Sequence, residues 1–138
     1  MTGTGFERRF PARPETLSEI RAAVAWTARQ LGCCEVTTHD VVLAVDEACQ
    51  NIIRHAYCGG DGDIVLQLTK DGGHLVVRLI DFAPPVDAGR VRGRPLDEVR
   101  PGGLGVHLIR SVMDEVAFLT PPDGAGNLLQ MTKRIGTP

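Results

Sequence analysis

The segment Asp40–Tyr57, DVVLAVDEACQNIIRHAY, constrains the fold more than any other stretch, because its apolar side chains repeat with a helical period. At about 100° per residue, one wide arc collects Val41, Val42, Val45, Ala48, Cys49, Ile52, Ile53 and Ala56. The opposite arc carries Asp40, Glu47, Gln50, Asn51 and Arg54. A helix with one apolar side must pack against another layer, so the pattern predicts a core helix with one polar edge.

Asn51 is unexpected on that edge, because asparagine is a poor helix former that competes for hydrogen bonds with its own backbone. The i, i+4 step from Glu47 to Asn51 places a carboxylate and a carboxamide side by side, pointing in the same direction. Oxygen atoms in that arrangement suit a hard cation or a proton-transfer step. Glu47 and Asn51 are therefore the first candidate site residues.

Length and charge limit the number of domains and the kinds of partner. The chain has 138 residues, 43% of them hydrophobic, so a single domain over residues 1–138 is expected. A net charge of −2 lacks the basic excess of nonspecific nucleic-acid binding proteins. No leader-like apolar region and no run of about 18 apolar residues is found, so a cytoplasmic protein without a membrane span is expected.

The cysteines do not form a metal-binding pattern. Neither a C-x-x-C spacing nor the paired histidines of a zinc site accompany Cys33, Cys34, Cys49 and Cys58. All four are expected to be reduced and structural, with Cys49 on the apolar face of the predicted helix.

A strand and a second helix are predicted before this segment. FERRFPA forms the strand, and a helix follows from Glu15 to about Leu31, closed by Gly32. Trp26 is expected to be a packing residue of that helix. The four residues TTHD supply N-cap candidates for the helix that follows.

After that helix the pattern changes to paired strands. DIVLQLTK and HLVVRLIDF are joined by Asp71-Gly72-Gly73, a strong hairpin signal, and LGVHLIRSVMDEV, EVAFLT and LLQMTKRI predict a further helix and two strands. Hairpin-paired strands with consecutive helices predict an α+β fold. Its architecture is a two-layer α/β sandwich, with a mixed, mostly antiparallel sheet and helices on one face.

A long irregular segment lies between the first pair of strands and the last helix. Residues 84–103, PPVDAGRVRGRPLDEVRPGG, have little periodicity and predict a lid or binding loop, with an idle surface loop as the alternative. Asp81, just before it, ends an apolar strand and either faces a pocket or caps a turn. Gly102, Gly103 and Gly105 lead into the last helix, where exposed backbone N–H groups could face a phosphate; the same pattern also occurs without a ligand.

In order, DEACQNIIRHAY, LIDFAPPVD and GGLGVHLIRSVMDEV resemble the N, G1 and G2 boxes of the Bergerat-fold, histidine-kinase-like ATPase superfamily. The closest resemblance is to the bacterial anti-sigma-factor serine/threonine kinases, and it extends roughly from Phe6 to Arg134. It implies an ATP-dependent kinase that phosphorylates a small antagonist protein and sequesters a sigma factor in a partner-switching system. It also implies a homodimer.

The resemblance assigns roles to individual residues. Asn51 would bind the Mg²⁺ that bridges the phosphates of ATP, Glu47 would be the general base, and Asp81 would accept a hydrogen bond from the adenine amino group. The nucleotide would also lie against the turn into the last helix, formed by Gly103, Leu104, Gly105 and Val106. Four lid arginines are candidates to neutralise phosphate charge or to form a solvated surface: Arg90, Arg92, Arg94 and Arg100.

Two departures from the family pattern bear on nucleotide affinity. Ala83 stands where the G1 box often has glycine, and Leu128 is aligned with a threonine that serves the nucleotide site in relatives. A module that binds ATP and sequesters a partner without phosphate transfer is therefore the main alternative. The catalytic domain of a sensor histidine kinase is a weaker one, because the helix TLSEIRAAVAWTARQL contains no phospho-accepting histidine.

Overall fold

The computed structural model describes residues 5–84 and 104–135. In chain order its elements are β1 (Gly5–Pro11), a 3₁₀ turn (Pro14–Thr16), α1 (Leu17–Gln30), α2 (Glu35–Asn51), a π-helical segment (Ile52–Ala56), β2 (Asp63–Asp71), β3 (His74–Asp81), α3 (Leu104–Val112), β4 (Glu115–Leu119) and β5 (Asn127–Arg134). The lid predicted for residues 84–103 lies outside the described residues apart from Pro84, and so do Arg90, Arg92, Arg94, Arg100 and Gly103.

One five-stranded sheet has the order β1-β2-β3-β5-β4, and each of its four strand pairs is antiparallel. Alternate side chains of the inner strands enter the core, for example Leu66, Val77 and Met131. Ile20, Val45 and Ile109 from the three helices pack in the same core. The predicted α+β sandwich is confirmed, with a sheet that is antiparallel throughout the described part of the chain.

Helix α2 buries the predicted arc but begins earlier than predicted. Val41, Val45, Ala48 and Cys49 are all buried, whereas the helix starts at Glu35, so TTHD lies inside its first turns. The N-cap position belongs to Cys34, whose Sγ lies 3.4 Å from Thr37 Oγ1. The N-cap prediction is wrong because Thr37 and Thr38 are buried by packing rather than exposed at a helix end.

Trp26 does not pack, contrary to the prediction. Its side chain is 63% exposed, while Ile20, Val24, Thr27 and Ala28 form the buried side of α1. Trp26 is two positions after Val24, so its side chain is turned by about 200° around the helix and points to solvent. The predicted end of α1 is confirmed, because Gly32 adopts a left-handed φ of 99° immediately after it.

The four cysteines are free thiols in different environments. Cys33 and Cys49 are buried, Cys34 is half-buried and Cys58 is exposed, so the expected structural role does not extend to Cys58. Burial raises the pKa of Cys49 to about 12, which keeps that thiol protonated in the core. Among the helices of the described ranges, none combines the length and apolar character that crossing a membrane requires.

Candidate functional site

Lys133 on β5 fixes the relative direction of α2 and α3. Its Nζ donates to the carbonyl oxygen of Val112 at 2.6 Å, at the end of α3, and lies 3.5 Å from Oδ2 of Asp40 near the start of α2. The two helices therefore run antiparallel. At 1.5 Å per residue, Asn51 is about 16 Å along α2 from Asp40, and the first residue of α3 is about 12 Å from Val112. The N-terminus of α3 thus lies near the level of Glu47 and Asn51.

Tyr57 joins the end of the π-helical segment to the sheet. Its hydroxyl donates to the carbonyl oxygen of Asp63 at 2.7 Å and accepts from the backbone N–H of Phe82 at 2.8 Å. Gly62 makes room for the ring, since a Cβ at this position would overlap it. Burial raises the pKa of Tyr57, so the phenol stays protonated and keeps both hydrogen bonds. The helix end predicted near Tyr57 is confirmed, and the hydroxyl of Tyr57 contacts the residue that follows Asp81.

Asp81 ends β3 in a buried position, with 3% of its surface exposed. Its Oδ1 accepts from the backbone N–H of Ala83 at 3.1 Å and from Nδ2 of Asn127 at 2.9 Å. Its carbonyl oxygen accepts from the N–H of Gly126 at 2.8 Å. A buried carboxylate needs such donors, because burial without them carries a large desolvation cost. The sequence-predicted site residue is therefore held in a fixed orientation.

Asn127 was missed by the sequence reasoning, which considered Leu128 instead. The strand register pairs Asp81 with Asn127 and Ile80 with Leu128. Because neighbouring side chains on a strand point to opposite faces, Leu128 faces away from Asp81. The structure therefore brings Asn127, and not Leu128, beside Asp81. An asparagine at the start of a strand, where it has low propensity, was the available signal.

Glu47 and Asn51 are half-buried and lie one turn apart on α2. Within residues 5–84 and 104–135, neither side chain forms a hydrogen bond or an ion pair, so their oxygen atoms are not used to hold the fold. Asn51 is also the last α-helical residue before the π-helical segment, and single π turns in α-helices are frequent at functional sites.

Other polar residues of α2 and of the π-helical segment form a separate chain of contacts. Arg21 on α1 donates to Asp46 at 2.9 Å, Gln50 donates to the same carboxylate at 2.8 Å, and Arg54 donates to Gln50 at 2.6 Å. Gln50 and Arg54 were expected beside Glu47 and Asn51, but they are held by these contacts. The polar side chains of this edge therefore form two groups. Asp46, Gln50 and Arg54 are hydrogen-bonded and form a structural ladder, whereas Glu47 and Asn51 have no such contacts within the described residues.

The first turn of α3 completes the geometry. Leu104, Gly105 and Val106 begin the helix, at the end that lies near the level of Glu47 and Asn51. The first N–H groups of a helix have no partners within it and attract anions. A carboxylate, a carboxamide oxygen, a helix N-terminus and a buried Asp are thus arranged around one end of the helical layer. Together they can receive a molecule that carries both phosphates and a hydrogen-bond donor.

Replacing Tyr57 by Phe is expected to destabilise the protein by about 1–3 kcal/mol, because the Asp63 carbonyl, in a partly buried hydrogen bond, and the N–H of Phe82 each lose a partner. Urea denaturation followed by far-UV circular dichroism measures the change. A loss below about 0.5 kcal/mol, the range of ordinary surface substitutions, would show that the hydroxyl does not couple these segments.

A family model of the histidine kinase-like ATPase domain matches residues 10–133. Among curated relatives, the serine-protein kinase RsbW of Halalkalibacterium halodurans is 32% identical over 134 residues, covering 92% of this chain and 81% of the relative. The serine-protein kinase RsbW of Bacillus cereus (strain AH820) is 28% identical over 137 residues, covering 94% and 84%.

Two solved structures share the fold. The RsbU and RsbW domains of Rv1364c from Mycobacterium tuberculosis align with a TM-score of 0.68 and 18% identity over 97% of this chain, which spans 33% of that longer chain. The catalytic domain of the histidine kinase ThkA aligns with a TM-score of 0.59 and 12% identity, covering 94% of this chain and 96% of that one.

Proposed function

We propose that this chain phosphorylates a serine or threonine of a small antagonist protein. The premise is that the chain belongs to the histidine kinase-like ATPase domain family and is a protein kinase of the RsbW group. The phosphate donor is ATP. The observation that carries the proposal is the pair Glu47 and Asn51, one turn apart, without hydrogen bonds or ion pairs within the described chain, near the level of the α3 N-terminus.

The residues in place fit a nucleotide with Mg²⁺. Asn51 offers a hard carbonyl oxygen, and Mg²⁺ commonly takes only one or two protein ligands together with phosphates and waters. Bound there, the ion would neutralise charge that develops on the phosphates. The backbone at Gly103, Leu104, Gly105 and Val106 would face the phosphates, and Asp81 would accept from the adenine amino group.

Glu47 has the role of general base in this proposal. It accepts the proton of the attacking hydroxyl while the oxygen of that hydroxyl forms a bond to the γ-phosphorus. The bond between the γ-phosphorus and the bridging oxygen breaks, and ADP leaves with the electron pair. Asn51, one helical turn away, would hold the phosphates through the metal ion, so that the attacking hydroxyl oxygen lies in line with the γ-phosphorus and the bridging oxygen.

The same family membership supports a proposal for the partners. An anti-sigma-factor kinase has two mutually exclusive partners, a sigma factor and its antagonist, and phosphorylation changes the charge of the antagonist surface. We propose both partners for this chain, together with a homodimeric assembly and action in the cytoplasm. A partner-sequestering module that binds ATP without transfer is the second candidate, because Ala83, which stands where the family pattern often has glycine, lies beside Asp81 in the proposed nucleotide site.

The first test compares Asn51→Ala with Gln50→Ala by calorimetric titration of ADP in the presence of MgCl₂. Asn51→Ala is expected to weaken binding at least about tenfold, since a metal ligand is lost. Gln50 is its neighbour but is held in the ladder with Asp46, so Gln50→Ala should bind ADP like the wild type. Equal affinities in the two variants would contradict the proposed position of the phosphates.

A further inference from the structure

Asn127 stands directly across the β3–β5 pair from Asp81 and is 8% exposed. Its Nδ2 donates to Asp81 Oδ1 at 2.9 Å and lies 3.3 Å from the carbonyl oxygen of Pro84. Both neighbours are acceptors, so the amino end of the carboxamide must face them and its orientation is determined. The side chain therefore connects the start of β5 with the carboxylate of Asp81 and with the backbone three residues later.

Two donors converge on the same oxygen of Asp81. The backbone N–H of Ala83 lies 3.1 Å from Oδ1, in addition to the amide of Asn127. A terminal carboxylate torsion is broad when nothing holds it. Two donors on one oxygen restrict that torsion and therefore set the direction of the second oxygen as well. The backbone donor lies within the same turn as Asp81, whereas Asn127 provides a reference point on a different strand.

We propose that Asn127 is a positioning residue for base selection, which holds the Asp81 carboxylate so that it accepts from adenine and rejects guanine. The inference rests on the proposed function, in which Asp81 faces the base. Adenine presents an amino donor at the position where guanine presents a carbonyl oxygen. A fixed acceptor favours the first base and repels the second, whereas a carboxylate that can turn away loses part of both effects.

A purely structural role for Asn127 predicts a different result. If the amide only secured the start of β5, its removal would lower stability and weaken all nucleotides to a similar degree. Discrimination between bases would then stay constant. The ratio of the dissociation constants for GDP and ADP separates the two roles, because a loss of folded protein cancels in the ratio.

The test measures that ratio by calorimetry with MgCl₂ for Asn127→Leu, Asn127→Ser, Asp81→Asn and Leu128→Ala. Leucine keeps the volume without a donor, and serine gives a small side chain whose hydroxyl is too short to reach Oδ1. Both Asn127 variants are expected to lower the ratio at least about tenfold, mainly through weaker ADP binding, since a hydrogen bond to a charged group is lost. Leu128→Ala is the matched control on the opposite face of the strand; it should lower stability and leave the ratio unchanged.

The outcomes distinguish this inference from the function on which it depends. Unchanged ratios in both Asn127 variants, together with loss of ADP binding in Asp81→Asn, would overturn the positioning role and leave the proposed site intact. If Asp81→Asn binds ADP as tightly as the wild type, or the wild type binds no ADP, the proposed nucleotide site is wrong and the inference falls with it.

Discussion

Replacing Glu47 by Gln is expected to lower the rate of phosphate transfer by about 10² to 10⁴, the usual contribution of a general base. Glutamine keeps the shape of the side chain but cannot accept the proton of the attacking hydroxyl. ADP affinity should stay within about twofold of the wild type, since the base acts only in the transition state. Transfer of labelled γ-phosphate to a purified antagonist under single-turnover conditions measures the rate.

Asp46→Asn is the matched control for Glu47→Gln. It removes a carboxylate from the adjacent position of α2, but that carboxylate is already bonded to Arg21 and Gln50. We expect its transfer rate to remain close to that of the wild type. Equal rates for Glu47→Gln and the wild type would exclude Glu47 as the base. A wild type that binds Mg-ATP but labels no antagonist would favour the sequestering module.

The second large effect is expected at Gly126. A Cβ at this position would overlap the carbonyl oxygen of Ala83, and that oxygen belongs to backbone, which cannot rotate away. Gly126→Ala must therefore separate the start of β5 from the segment after Asp81. Loss of the hydrogen bond between the Gly126 N–H and the Asp81 carbonyl, together with the strain, is expected to destabilise the protein by about 2–4 kcal/mol. It should also weaken ADP binding at least about tenfold, because Asn127 moves with the strand and away from Asp81.

Gly73→Ala provides the control, since a Cβ there would meet no atom within 4 Å and its φ lies outside the left-handed region. Its free energy of unfolding should stay within about 0.5 kcal/mol of the wild type. Urea denaturation followed by circular dichroism compares the two alanine variants. If both behave like the wild type, the close approach of β5 to Ala83 does not contribute to the site.

The elements that could be predicted are those with a strong local period. The apolar arc of α2 and the Asp71-Gly72-Gly73 hairpin agree with the structure, and Gly72 has the expected left-handed φ of 61°. The start of α2 could not be predicted, because Thr37 and Thr38 are good N-cap residues in isolation and only tertiary packing buries them. The prediction that Trp26 packs is wrong because its helical position points away from the buried stripe that includes Ile20 and Val24.

Candidate site residues could be proposed from the sequence where one element supplies them, but not where two elements meet. Glu47 and Asn51 lie on one helix, so their spacing is visible in the sequence. The partner of Asp81 depends on the register between β3 and β5, and a shift of one residue exchanges Asn127 for Leu128. The need for glycine at position 126 likewise comes from a contact with Ala83, which no local pattern records.

The exposed indole of Trp26 determines which optical signals this protein can give. It is the only tryptophan of the chain, and it is already in contact with water in the native state. Its fluorescence emission should therefore change little when the chain unfolds, so denaturation is better followed by backbone ellipticity. The same emission would shift to shorter wavelength only if another molecule covered the outer side of α1. A single fluorophore thus separates association at that helix from loss of the fold.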